Sequence, residues 1–241
     1  MAEKDYQLLP VSENCIFVKF GQTISPAIHK KVKKLADYLE QHPFAGYVEF
    51  IATYTGTAVN YDPLLVLRDL AQVGETAHAA VERVLSAAVT ASALLPDTKP
   101  NVVEIPVCYG GEYGPDLAYV AEYHHLSEAE VIAIHSGTEY LCYMIGFCPG
   151  FPYLGGMDPR IATPRRSTPR LAIPARSIGI AGQQTGGYPI STPGGWQLIG
   201  RSAVEMYDAA AAQPTLLQAG DLVRFRSITP AEYAAIRGDK P

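Results

Sequence analysis

Ser177-Ile-Gly-Ile-Ala-Gly-Gln-Gln-Thr-Gly-Gly-Tyr-Pro-Ile-Ser-Thr-Pro-Gly-Gly-Trp-Gln-Leu-Ile-Gly-Arg201 decides the architecture of the second half of the chain. Its apolar runs are too short for helix turns, and glycine or proline breaks each one. Short β runs alternating with dense turns read as a closed barrel or a sandwich. The same texture runs from about residue 139 to the C-terminus. Residues 146–200 hold 11 of the 21 glycines and 8 of the 19 prolines, so the loops there have fixed, unusual backbone geometry in which a backbone can approach a ligand closely.

That window is also cationic. Asp158 is its only acidic residue, against Arg160, Arg165, Arg166, Arg170 and Arg176, a local balance of +4 in a chain whose net charge is −5. Guanidinium groups clamp phosphate or carboxylate through two parallel hydrogen bonds. Arg165, Arg166 and Arg170 are therefore the first candidates for an anion or nucleotide site. The competing reading pairs them with acidic residues of a partner or of the other domain. Gln183, Gln184 and Thr185 offer uncharged donors and acceptors. Tyr188 and Trp196 offer flat faces for a ligand, or simply fill the barrel core. Phe147, Phe151, Pro152, Tyr153 and Leu154 form an apolar cluster that plugs the barrel or docks a partner.

Upstream the texture differs. Residues 15–20 read as a strand, and a helix follows with Ser25 as N-cap and Pro26 in its first turn. Ile28, Val32, Leu35, Ala36 and Leu39 share one face, and the lysines at 30, 31, 33 and 34 form a solvated one. Runs 47–54 and 57–61 make a hairpin. A longer helix spans roughly 75–92, and residues 102–109 return to β. This β-α-β-β-α-β order indicates a small split-βαβ layer. Leu95-Pro-Asp-Thr-Lys-Pro100 reads as the linker, which gives domains over 1–98 and 99–241 and leaves strand 102–109 open to either. Gly114-Pro115-Asp116 opens a further helix, and Ser127-Glu-Ala-Glu130 is a capping box starting another.

Composition bounds the function. At 241 residues, 48% hydrophobic and 18% charged, the chain is too apolar for disorder and low enough in charge to bury surface against a partner. No apolar run approaches a membrane span, the Met-Ala-Glu-Lys-Asp start lacks a secretory pattern, and acidity argues against nucleic acid. Cys15, Cys108, Cys142 and Cys148 form no Cys-x-x-Cys pair, so they read as reduced thiols of a cytoplasmic protein with no metal site. There is no phosphate loop, dinucleotide fingerprint, nucleophile elbow or His-Glu-x-x-His. His124, His125 and His135 read as surface or satisfied residues rather than bases. Spacing alone names no catalytic residue.

The motifs in order carry more. Gly146-Phe-Cys-Pro-Gly-Phe-Pro-Tyr-Leu-Gly-Gly156, Pro164-Arg-Arg-Ser-Thr-Pro-Arg170, Gly179-Ile-Ala-Gly-Gln-Gln-Thr185 and Ser191-Thr-Pro-Gly-Gly-Trp-Gln-Leu-Ile-Gly-Arg201 resemble the KipI/PxpB family, whose members are also labelled allophanate hydrolase subunit 1. Tyr109-Gly-Gly-Glu-Tyr-Gly-Pro-Asp-Leu117 and Gly220-Asp-Leu-Val-Arg-Phe225 fit the same pattern. The resemblance implies an α+β protein: a small N-terminal split-βαβ domain and a C-terminal cyclophilin-like β-barrel. It implies work as the B component of a bacterial 5-oxoprolinase, with ATP (and Mg) as cofactor, subunits A and C as partners and 5-oxo-L-proline as substrate. A second implication is a KipI-type inhibitor of a sensor histidine kinase, docking through the Phe147–Leu154 cluster. One departure stands out: the family pattern Pro-Ala-Gly-Ser is here Pro174-Ala-Arg-Ser177.

Overall fold

Alternation of buried and half-open residues along Cys15–Lys19 (β2) and Gly56–Tyr61 (β4) turns Ile16, Val18, Val59 and Tyr61 to one face of a sheet, as a period of two requires. The computed structural model describes residues 5–238, and the Met1–Lys4 part of the charged start lies outside them. The chain falls into two compact units, Met1–Lys99 and Pro100–Pro241.

In the first unit the sheet order is β1 (Gln7–Ser12), β2, β4, β3 (Tyr47–Ala52), antiparallel throughout. Helix α1 (Pro26–Gln41) starts where Ser25 Oγ accepts the Ile28 N–H, with proline in the first turn. Val32, Leu35 and Leu39 of α1 join Val81, Leu85 and Ala88 of α3 (Ala77–Ala93) over the apolar face of the sheet. The short α2 (Pro63–Asp69) is capped by Asp62. The outer strand comes from the start of the chain and not from 102–109. Pro10 is tolerated there because an edge strand leaves some N–H positions unpaired. The α1 lysines are partly solvated as read, though paired: Lys30 and Lys34 with Asp97, Lys31 with Asp5 and Lys33 with Asp37.

The second unit is a closed seven-stranded barrel. Its strands are β5 (Val102–Tyr109), β6 (Glu139–Ile145), β7 (Pro152–Gly155), β9 (Ser177–Ala181), β10 (Gln184–Gly187), β12 (Gln197–Ser202) and β13 (Leu222–Ile228). They run in the order β10-β7-β6-β13-β5-β12-β9, and β9 closes on β10. Strand 102–109 thus belongs to the barrel, pairing in parallel with β13 from Val102↔Leu222 to Cys108↔Ile228. A two-stranded ribbon, β8 (Arg170–Ile173) with β11 (Thr192–Gly194), stands outside the barrel order. Helices α4 (Leu117–Tyr123), α5 (Glu128–Gly137) and α6 (Pro230–Arg237) complete the unit, and α5 opens on the complete Ser127/Glu130 capping box. The interior is filled by Ile105, Val107, Ile178, Ile180, Ile199, Val223 and Phe225, all nearly inaccessible. Among the described residues no helix is long and apolar enough to cross a membrane.

Arg176 explains its own oddity. It has φ 69°, the left-handed region that glycine enters freely and a bulky residue only at a cost of about 1 kcal/mol. Arg176→Gly is expected to relieve that strain at the cost of a 3.8 Å contact with half-exposed Glu205 and the packing of a side chain that is 17% exposed. Thermal melts should show a gain of under about 1 kcal/mol. A clear loss would mean that the side chain's contacts outweigh the backbone strain.

Candidate functional site

Gly114 lets the segment before α4 press onto β12, since a Cβ there would collide with the Ile199 carbonyl. Two backbone bonds fasten it, Gly110 N–H to Ile199 O at 3.0 Å and Asp116 N–H to Leu198 O at 2.9 Å. Asp116 is thereby buried at 5% exposure. Its carboxylate accepts four hydrogen bonds: from Leu198 N–H (2.7 Å), Arg166 Nη1 (3.1 Å), Arg170 Nη1 (2.8 Å) and Arg170 Nη2 (2.8 Å). The loop carrying the arginines is pinned from the other side. Gln197 Nε2 donates to Pro164 O, Arg166 N–H donates to Gly195 O, and Arg170 pairs with Gly194 in the ribbon.

Three guanidinium groups thus share this corner with one carboxylate. Arg170 is spent in a bidentate pair, while Arg166, 37% exposed, gives Asp116 only one nitrogen. Arg166 Nε is buried with no partner among the described residues. Arg165 is exposed, its guanidinium 5.7 Å from the centre of the Trp196 ring, an attraction between a cation and a π face. Trp196 and Tyr188 are both buried and meet Phe151 edge-on at 5.5 and 5.3 Å. Burial pushes the Tyr188 hydroxyl up to about 12 against the pull of Arg165, so it stays protonated at neutral pH. Donor capacity on Arg165 and Arg166, backed by a rigid aromatic wall, fits an oxyanion such as a phosphate or carboxylate group. Among the described residues no group of three or more His, Cys, Asp or Glu is placed to hold a metal ion.

The structure gathers only part of the expected set. Arg165, Arg166, Arg170, Tyr188 and Trp196 come together, with Tyr188 and Trp196 as buried support rather than open ligand platforms. Gln183 is exposed at the β9–β10 turn and Gln184 is half-buried. Thr185 points inward and has no face for a ligand: its hydroxyl donates to Gly179 O and lies 2.9 Å from His135 Nε2. The apolar cluster read as a barrel plug or a docking loop divides in the same way. Phe151, Pro152 and Leu154 are buried within the unit and Tyr153 is half-buried. Phe147 alone is open, at 65%. A cleft of about 280 Å³ in the first unit is rimmed by Lys30, Lys31 and Lys34, but Asp5 and Asp97 already neutralise them.

Sequence reasoning missed Asp116 as the counter-ion; the signal was an acid directly after Gly-Pro at a helix start. The interior network was also missed. Because Thr185 donates its proton to Gly179 O, its oxygen accepts from His135 Nε2–H. His135 Nδ1 is then the acceptor for the Tyr109 hydroxyl at 2.8 Å. Both ring nitrogens are taken and burial pulls the imidazole down to about 3, so His135 is a neutral structural group and not a base. Cys148 is half-buried and its thiol is pushed up by burial, the opposite of an activated nucleophile.

The family model for the carboxyltransferase domain, subdomains C and D, matches residues 6–217. The chain is 45% identical to the B component of 5-oxoprolinase from Bacillus subtilis over 96% of its length and 97% of that protein. It is 41% identical to the same component from Escherichia coli O157:H7 over 89% of its length and 93% of that protein. Among solved structures it resembles TTHA0988, with a TM-score of 0.75 and 36% identity over 89% of this chain; it spans 40% of that longer chain.

Proposed function

We propose, on the premise that the chain belongs to the carboxyltransferase-domain family, subdomains C and D, that it is the B component of an ATP-dependent 5-oxoprolinase working with subunits A and C in the cytoplasm. The observation that carries this reading is the nearly end-to-end likeness to the 5-oxoprolinase component of Bacillus subtilis. The cationic corner supports it chemically. An unstrained lactam is a poor electrophile, and ATP would supply the phosphoryl group that converts the lactam oxygen of 5-oxo-L-proline into a leaving group. Donors fixed in advance stabilise charge on a transferring phosphoryl group without reorganising.

In this reading Arg165 and Arg166 bind and orient the anion. Arg170 and Asp116 hold Arg166 in place, and Trp196 holds Arg165. Tyr188 stays neutral and closes the wall behind them. His135, locked in the barrel interior with both ring nitrogens bonded, takes no part in the proton transfers of ring opening.

The purified chain alone should show no 5-oxoproline-dependent ATP hydrolysis, and the assembled three-component set should show it. An inactive complete set overturns the reading. Within an intact complex, Arg165→Gln and Arg166→Gln are each expected to lower turnover about tenfold or more, the loss of one charge-assisted bond. Unchanged kinetics would leave both arginines a structural role only.

A further inference from the structure

A second cationic corner lies further along β12 and owes nothing to the reading above. The Arg201 guanidinium has no hydrogen bond or ion pair among the described residues. Its guanidinium stands 5.8 Å from the centre of the Tyr113 ring, and of its three nitrogens only Nε is buried without a partner. The backbone beneath it is fixed on both sides, paired with Cys108 of β5 and Ser177 of β9. Gly200, just before it, packs so closely that a Cβ would lie 2.6 Å from Val107 Cγ1 and 2.9 Å from Cys108 O. Tyr113 in turn leans on Tyr233 of α6, with ring centres 4.6 Å apart. The Tyr233 side chain is 6% exposed and its hydroxyl also lacks a partner among the described residues.

Charge in this corner is poorly balanced. One turn beyond Tyr233, Arg237 Nη1 lies 2.7 Å from Glu205 Oε1, and Arg176 Nε reaches the same oxygen at 3.8 Å. Two guanidinium groups therefore share the Glu205 carboxylate, and Arg201 is left with no acid within ion-pair distance among the described residues. Glu112, exposed beside Tyr113, makes no ion pair with Arg201. A half-buried, immobilised and unpaired guanidinium is costly to keep unless something accepts its hydrogen bonds, and a fork already held in place loses little freedom on binding.

We propose that Arg201, held over the Tyr113 ring, is the fork of an oxyanion site separate from the Arg165–Arg166 corner, taking the carboxylate or phosphate group of a small molecule. The terminal nitrogens of Arg201 grip two oxygens of the ligand, and Tyr113 holds the plane of the guanidinium. The test is arginine labelling of the full chain by phenylglyoxal, read peptide by peptide, with inorganic phosphate and L-glutamate as probes. Either probe should protect Arg201 saturably at millimolar concentration, and its preference separates a phosphate from a carboxylate ligand. Protection should persist in Arg165→Gln. Arg201→Lys, which keeps the charge and loses the fork, should weaken phosphate- or glutamate-induced thermal stabilisation about tenfold in apparent affinity. Labelling of Arg201 that neither probe slows would overturn the proposal. So would loss of protection in Arg165→Gln, which would assign the effect to the first corner, or an unchanged response in Arg201→Lys. The labelling arm needs no variant of Arg201, so a misfolded substitution leaves the test standing.

Discussion

Asp116→Asn is expected to destabilise the barrel unit by about 3 kcal/mol or more, the cost of removing one partner from a buried ion pair. The carboxylate neutralises part of the charge on Arg166 and Arg170 and accepts the Leu198 N–H. An amide of the same shape presents two donors where donors already point. The Leu198 N–H or an arginine nitrogen is then left without an acceptor, and two half-buried cations face each other uncompensated. Trp196, the chain's single tryptophan, lies beneath Arg165, so its fluorescence reports on this corner during urea unfolding. The midpoint should fall with little change in slope. Arg170→Met should cost less, because Arg166 remains to pair with Asp116. A loss below about 1 kcal/mol for Asp116→Asn would mean that the arginine loop is held by its backbone bonds alone.

The barrel unit should also lose stability in mild acid. His135 is pulled down to about 3 by burial, whereas an imidazole in the unfolded chain titrates near 6.5. Below about pH 6.5 the unfolded state binds a proton that the folded state refuses. Stability therefore falls as pH falls, by about 1.4 kcal/mol per unit, until roughly pH 3; above 6.5 this group contributes no pH dependence. By pH 4.5 the loss is on the order of 2–3 kcal/mol. His124 is lowered by burial in the same direction, and Asp158, Glu130 and Glu232, all held low by hydrogen bonds, add to it at more acid pH. The decisive measurement is the difference between wild type and His135→Gln from pH 7 to 5, where the carboxylates contribute least. The variant should unfold with a visibly flatter dependence on pH. The first unit carries its own acid-sensitive group, since burial takes His29 down to about 4.

The histidine network shows why part of the site was invisible in the chain. Nothing within a few residues of His135 says that its nitrogens will meet Tyr109, 26 residues before it, and Thr185, 50 residues after it. Asp116 and the arginines pose the same problem, separated by 50 and 54 residues. Phe151 and Leu154 read equally well as a docking surface or a plug, because hydrophobicity says that a side chain leaves water and not which surface receives it.

Features set within a few residues were legible in the sequence by itself. The Ser25 cap with Pro26, the Ser127–Glu130 capping box, the 47–61 hairpin, the punctuated β runs of a barrel and the clustering of arginine after residue 158 all rest on local backbone geometry or on counting charge. The tertiary structure alone decided which strands pair, sending 102–109 into the barrel beside β13 and giving the first sheet its edge at Gln7–Ser12. It also decided which guanidinium groups are spent on Asp116 and which keep donors to offer. The physical reason is that strand pairing, burial and ion pairing are settled between groups distant in the chain, where each partner's choice depends on every surface competing for it.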